Sequence, residues 1–437
     1  MNLLVIYPGL VDGFGSFSSG SDWFNHGVGV ICAVLKREGH LVTYLDCRTC
    51  RDWEDVRSRI AAADFDVVLV SVATVDFVAF KKISRIVREV APQARIIAGG
   101  PHATLATDEM LTVADCDCVF THEAEVSLPK LLADLDSLPR LVRGEMPEDL
   151  DQLPFVDRSL SPDGETSLFW GLPRPFFTIV ASRGCPFKCT FCQPAERYVF
   201  GDKIRKRSVG NIIDELEYLE RSYGMQSFMV HDDCFTQFPR WVDDFCRLKT
   251  ERGLLQPFVC QTRADIVCNN RGMMERLAQA GLKWVLIGFE SGSDRILSFV
   301  KKGVTVQQNI EAADICRELG IKIFANYMFG LPTETPDEML KTALMIQRIA
   351  PDIHSPSIFT PAPGSELYEY CHSRDLILIS TAEGFRRNIN SGAKIKGVDY
   401  EQVRRMVKLS MKGAQMKRAR FYMHLATNAL IRGWRGL

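Results

Sequence analysis

Three cysteines stand in one short stretch, Ser182-Arg-Gly-Cys185-Pro-Phe-Lys-Cys189-Thr-Phe-Cys192, at the spacing CxxxCxxC. A [4Fe–4S] cluster ordinarily takes four thiolates, so a loop that supplies three leaves one iron open to a small ligand. That arrangement points to a catalytic cluster rather than a purely electron-carrying one. Gly184 and Pro186 force a turn there, and Phe191 can shield the sulfurs. Two plainer readings compete: a zinc knuckle short of one ligand, and chance clustering in a chain with fourteen cysteines. Zinc wants a fourth Cys or His at short spacing, and none follows.

The loop resembles that of the radical S-adenosylmethionine (SAM) superfamily, whose signature CxxxCxΦC places an aromatic before the last cysteine, as Phe191 does. The resemblance implies that SAM chelates the open iron of a cluster held by Cys185, Cys189 and Cys192, and that an electron cleaves it to methionine and a 5′-deoxyadenosyl radical. That radical abstracts hydrogen from unactivated carbon. Later segments match the family's strand-end positions in order. His231-Asp232-Asp233-Cys234 offers a carboxylate for the SAM ammonium, Asp233 first and Asp232 second, against an N-cap or turn role. Arg263 in Gln261-Thr-Arg-Ala-Asp265 has a planar fork suited to the SAM carboxylate or to an internal acid. Gly288-Phe-Glu290-Ser-Gly292-Ser is similar to a GxESG segment: Glu290 can accept ribose hydroxyls or anchor Arg263, and Gly292 lets backbone approach a ligand. Gly330-Leu-Pro-Thr333-Glu334-Thr resembles a GLPGET turn with Thr333 in place of glycine; Gly330 would line the adenine pocket, and Glu334 would fix the next helix start. Pro361-Ala-Pro-Gly364-Ser resembles a PxPGT element and reads more simply as a rigid turn.

The elements that must position these residues form two strand–helix series. The first runs Leu3–Tyr7, helix Val28–Glu38, Leu41–Leu45, Val67–Ser71, helix Phe80–Val90, Ile96–Ala98, Cys118–Thr121 and helix Val126–Leu135. Short apolar strands alternating with amphipathic helices predict an α/β, parallel, doubly wound sheet with ligands at the carboxyl ends of its strands. Those ends carry Gly9 to Gly20, Ser71 to Thr74, Gly99-Gly100-Pro101-His102 and His122 to Glu125, with glycines serving tight turns alone as the simpler reading. The second series predicts strands Phe176–Val180, Ser227–Val230, Phe258–Gln261, Trp284–Gly288, Lys322–Phe329 and Ser357–Phe359. Six β/α units without closure fit a partial (β/α)6 radical SAM barrel with its site at the strands' C-terminal face. The expected limits are 1–140 for a Rossmann-like first domain, 141–170 for a linker, 171–379 for the barrel and 380–437 for a helical C-terminal region.

The first domain resembles the cobalamin-binding type that precedes many radical SAM domains. The resemblance implies cobalamin as a second cofactor near Ser71, Thr74, Gly99, Gly100, Pro101 and His102, facing the cluster across the domain interface. One departure stands out: the base-off motif DxHxxG would put histidine after the first strand, where Asp12-Gly-Phe14-Gly-Ser-Phe17 has Phe14. The implied activity is methyl transfer to an unactivated carbon of a small-molecule or lipid-like substrate. Cyclisation, rearrangement or oxidation by the same architecture is the alternative, and a non-catalytic iron–sulfur or cobalamin sensor is more remote. An external electron donor is required.

Composition narrows the classes. A net charge of −1 over 437 residues argues against a nucleic-acid partner. The start Met-Asn-Leu-Leu-Val-Ile-Tyr-Pro has no basic n-region, and no apolar run reaches 18 residues, so a soluble, cytoplasmic protein with reduced thiols is expected. The C-terminal stretch sets Phe421, Tyr422, Leu425, Leu430 and Trp434 among Lys417, Arg418, Arg420, Arg432 and Arg435. It reads as a helix packed on the barrel, with peripheral membrane contact as the alternative.

Overall fold

A computed structural model describes residues 1–10, 14, 24–113, 115–161, 164, 171–192, 201, 203–380, 382–385 and 392–412. Most of the loop Gly9 to Gly20 and the basic-aromatic stretch from Lys417 to Arg435 lie outside the described residues.

The first sheet holds β1 (Asn2–Tyr7), β2 (Leu41–Asp46), β3 (Val67–Ser71), β4 (Arg95–Gly99), β5 (Cys118–Thr121) and β6 (Leu141–Arg143) in the order β2-β1-β3-β4-β5-β6. Every pairing in it is parallel. Alternate side chains of β1 feed opposite faces, as the twofold period of a strand requires. Leu4 and Ile6 pack with Phe80, Ile83 and Val87 of the helix Phe77–Val90, while Leu3 and Val5 pack with Val28, Cys32 and Leu35 of the helix His26–Arg37. Both faces are thereby covered, which explains the near-continuous apolar runs. Strand β6 lies in the stretch read from sequence as linker. It is three residues long with its ends exposed, so it carries no apolar pattern.

The second sheet holds β7 (Phe176–Ile179), β10 (Ser227–Val230), β11 (Phe258–Thr262), β12 (Leu282–Glu290), β13 (Lys322–Phe329) and β14 (Ile353–Ile358), in the order β14-β13-β12-β11-β10-β7. Its pairings are all parallel, giving the expected open half-barrel. The sixth strand begins at Ile353 rather than Ser357, and only its last residue is fully buried, which is why its start escaped an apolar-run reading. The helices Val306–Glu318 and Pro336–Ile349 each open on a capping box, Thr305 with Gln308 and Thr335 with Glu338. A short antiparallel hairpin of β8 (Ser182–Arg183) and β9 (Arg205–Lys206) follows the C-terminal end of β7, and the loop it closes contains all three motif cysteines.

Candidate active site

At the C-terminal ends of β10 to β14 lies a cavity of about 1070 Å³. Cys185, Cys189 and Cys192 all line it, together with Asp233, Arg263 and Glu290 from the ends of three different strands. Among the described residues no three His, Cys, Asp or Glu side chains converge closely enough for one metal ion. Three thiols lining one cavity can supply three corners of a cubane. Cys234 also lines this cavity, but it is 1% exposed and contacts Thr236 Oγ1 at 3.9 Å.

Arg263 reaches the cluster loop directly. Its Nη1 lies 3.7 Å from Cys189 Sγ, and its guanidinium stacks on Phe187 at 3.6 Å from the ring centroid. Its Nε donates to Asp265 Oδ1 at 3.0 Å, so an internal acid holds the fork, and that acid is not Glu290. Glu290 instead accepts from Lys302 Nζ at 2.9 Å, with both side chains 8% exposed. Burial alone would lower the lysine's pKa; the Glu290 carboxylate, with Cys189 nearby, outweighs it and leaves the pKa raised. Glu290 sits at φ 59 where the β12–β13 register shifts, and a Cβ on Gly288 would fall 2.2 Å from Glu290 Oε1. Lys302 lines the cavity as well, and the sequence concealed it.

The two aspartates divide their roles. Asp232, 1% exposed, accepts from Ala181 N at 2.7 Å and Ser182 Oγ at 2.6 Å; burial pushes its pKa up to about 6 in spite of these bonds. It ties the end of β10 to the entry of the cluster loop. Asp233 opens onto the cavity while the surrounding walls raise its carboxyl pKa. Gly292 and Gly330 do not line the cavity. A Cβ on Gly292 would meet Lys341 O at 2.4 Å, so its smallness admits the backbone of the helix Pro336–Ile349, not a ligand. The Gly330 amide donates to Glu334 Oε2 at 2.7 Å, so Glu334 braces the turn ahead of the helix while Thr335 and Glu338 cap it.

A second cavity, of about 490 Å³, opens between the two sheets. Ser71, Gly99, Gly100 and Pro101 line it from the first domain, and Ser182, Arg183, His231 and Asp233 from the second. Asp233 belongs to both cavity walls. Thr74 and His102 turn elsewhere, to a third cavity of about 520 Å³ shared with Pro363, Gly364 and Tyr368. They contact each other at 3.3 Å, and burial lowers the His102 pKa to about 4. The first helix begins at His26, and of the stretch Asp12 to Phe17 only Phe14 lies within the described residues. His26 lies 2.6 Å from Thr178 Oγ1 of β7, and its Nδ1 is buried without a hydrogen bond on the wall of the interdomain cavity.

Residues 179–346 match the Radical SAM superfamily and residues 16–132 match the B12 binding domain. The chain is 28% identical over 398 residues to an uncharacterized methyltransferase of Pyrococcus horikoshii, covering 86% of this chain and 84% of that one. It is 26% identical to an anaerobic magnesium-protoporphyrin IX monomethyl ester cyclase of Cereibacter sphaeroides, covering 84% of this chain and 63% of the cyclase. It is likewise 26% identical to the hopanoid C-3 methylase of Methylococcus capsulatus, covering 80% and 69%. The fold superposes on the cobalamin-dependent SAM radical enzyme OxsB with a TM-score of 0.70 at 17% identity, covering 93% of this chain and 66% of that one. The chain belongs to the radical SAM superfamily, as a member with a B12 binding domain ahead of the radical SAM domain. It is a cobalamin-dependent radical SAM enzyme whose cofactors are a [4Fe–4S] cluster, SAM and cobalamin. The residues present fit these groups: three thiols around one cavity for the cluster, and an interdomain wall that joins apolar Val5, Leu69 and Phe120 to an unmatched buried imidazole nitrogen for an amphipathic corrinoid. No described helix is long and apolar enough to cross a membrane.

Proposed function

We propose that this enzyme transfers a methyl group to an unactivated carbon of a small-molecule or lipid-like substrate. When bound, the cluster with SAM supplies a hydrogen-abstracting radical and cobalamin supplies a transferable methyl group. The observation that carries the reading is Asp233, which lines both the cluster cavity and the interdomain cavity and so brings the two cofactor sites to either side of one side chain.

In this reading Cys185, Cys189 and Cys192 hold the cluster, and Arg263, donating toward Cys189 Sγ, stabilises thiolate charge. Asp233 accepts the SAM ammonium, and Glu290, held by Lys302, presents its second oxygen to ribose hydroxyls. Ser71, Gly99, Gly100 and Pro101 hold the corrinoid. Gln261, Asn326, Ser357 and Phe359 give one part of the reaction cavity uncharged polar and apolar lining, beside the charged Lys188, Glu366 and Glu369 in another. A cytoplasmic setting and an external electron donor complete the proposal, since an oxygen-sensitive cluster must be reduced and protected. The C-terminal stretch is read, on its composition alone, as a helix packed on the barrel, with peripheral membrane contact as the alternative.

A second reading, ring closure without methyl transfer, is favoured by the 26% identity to the cyclase. Anaerobic reconstitution with SAM and hydroxocobalamin, followed by analysis of nucleoside products, separates the two. Methyl transfer forms S-adenosylhomocysteine beside 5′-deoxyadenosine; turnover giving 5′-deoxyadenosine alone sinks it.

A further inference from the structure

The cluster loop is closed at its base by an arrangement that is unstable by itself. In the β8–β9 hairpin, Arg183 stands directly opposite Arg205 across the strands. Like charges facing each other across a two-stranded ribbon destabilise it. The first of these arginines is two residues ahead of Cys185, and the loop between them contains Cys185, Cys189 and Cys192.

The neutralising charge comes from the other domain. Beyond β5, His122 adopts φ 65 and turns the next residues outward. Glu123 Oε1 then accepts from Arg183 Nη1 at 2.9 Å and from Arg205 Nη2 at 2.7 Å, while its Oε2 accepts from Arg205 Nη1 at 2.7 Å. Glu125 Oε1 pairs with Arg183 Nη2 at 2.7 Å. The four side chains are 3%, 6%, 14% and 9% exposed for Glu123, Glu125, Arg183 and Arg205. The Glu123 backbone is fixed as well, because a Cβ on Gly144 would fall 1.8 Å from its carbonyl oxygen. Removing one partner of a buried ion pair is far more damaging than removing both, because it leaves an uncompensated charge.

We infer that Glu123, supported by Glu125, is a positioning residue of the cobalamin-binding domain that closes the stem of the cluster loop, so that the cluster is held firmly only when the first domain is docked. The inference rests on the reading that the three cysteines hold the cluster, and it needs neither methyl transfer nor bound cobalamin.

The test uses full-length protein, anaerobically reconstituted with iron and sulfide, and reads the rate of iron release to bathophenanthroline. Glu123→Gln should release iron at least about tenfold faster than the wild type, because it leaves opposed buried cations. Arg205→Gln should stay within about twofold, since Arg183 keeps both carboxylates. The double variant E123Q/R205Q should return most of the way to wild type, because the opposed charge is gone. A clamp that merely glues two domains predicts the reverse: the double variant, short of two partners, would be the worst. Unchanged release from E123Q, or a double variant no slower than E123Q, overturns the inference. If E123Q does not fold, the double variant decides: folded and iron-retaining supports the inference, unfolded overturns it. A wild type that takes up no iron removes the cluster reading itself and the inference with it.

Discussion

Lys302 shows what a site residue looks like when no motif announces it. It lies in Lys301-Lys302-Gly303 at the end of the helix Asp294–Phe299, where two lysines before a glycine read as ordinary C-terminal helix cations. Only the fold brings its Nζ to 2.9 Å from Glu290 Oε1, and its carbonyl oxygen accepts from Arg263 Nη2. One residue thus joins two groups that the sequence had paired with each other. Removing the cation leaves a carboxylate buried at 8% exposure without its partner. Lys302→Met should therefore destabilise the barrel by about 3–5 kcal/mol, the usual loss when one member of a buried ion pair is deleted. Urea unfolding of the anaerobic protein measures it, and an unchanged midpoint would mean the pair is solvated. The gathering of the three cysteines, Asp233, Arg263 and Glu290 around one cavity was legible because each follows an apolar strand within a short pattern. Lys302, Glu123 and Arg205 were not, because their partners lie 12 to 82 residues away in sequence.

The turn after β13 joins sequence legibility to backbone strain. Its place and its glycine-like demand were readable from Gly330-Leu-Pro-Thr333-Glu334, but the outcome at Thr333 was not. Thr333 holds φ 66, the conformation a glycine would take, and Arg295 secures it by donating to Thr333 O at 2.7 Å and to Oγ1 at 3.2 Å. A β-branched residue in left-handed backbone is strained by roughly 1–2 kcal/mol, partly offset by the extra freedom of an unfolded glycine. Thr333→Gly should accordingly raise stability by about 0.5–1 kcal/mol, read from the unfolding midpoint; a loss would show that the Arg295 contact to Oγ1 dominates. Beside it, Glu334 accepts from Gly330 N and Leu331 N, yet burial lifts its pKa from 4.5 to about 7. A carboxyl raised in the folded state binds more protons there than in the unfolded chain, so its contribution to stability falls as pH rises from about 4.5 through 7. Glu334→Gln, whose amide oxygen can still accept both bonds, removes that titration. The stability difference between variant and wild type should grow in the variant's favour across this window, by on the order of 3 kcal/mol, and level off above it. A flat difference would place the Glu334 carboxyl in water. By contrast, β6 and the β8–β9 hairpin left no trace in composition, since strands of three and two residues with exposed or charged side chains exist only through what they pair with.

At the scale of the molecule, two parallel sheets turn their carboxyl edges toward a common region, and Asp233 stands where the cavities of the two meet. The same boundary is crossed by Glu123 to Arg183 and by His26 to Thr178, contacts that tie the two domains together beside the cavities. Filling the interdomain cavity excludes water from one side of Asp233, and a carboxylate paired with an ammonium gains strength as its surroundings become less polar. Cobalamin should therefore tighten SAM binding by at least about fivefold, within the range that coupled sites ordinarily reach. Linkage requires SAM to tighten cobalamin by the same factor. Equilibrium dialysis of SAM with and without saturating hydroxocobalamin, and the reverse titration, gives both numbers on one preparation. Asp233→Asn keeps the shape of the wall and removes the charge, so it should shrink both factors together toward unity. Equal SAM affinity with and without cobalamin would mean that the two cavities touch at Asp233 without communicating, and a variant that weakens SAM binding while leaving the coupling intact would move the communication to the Glu123–Arg183 contact.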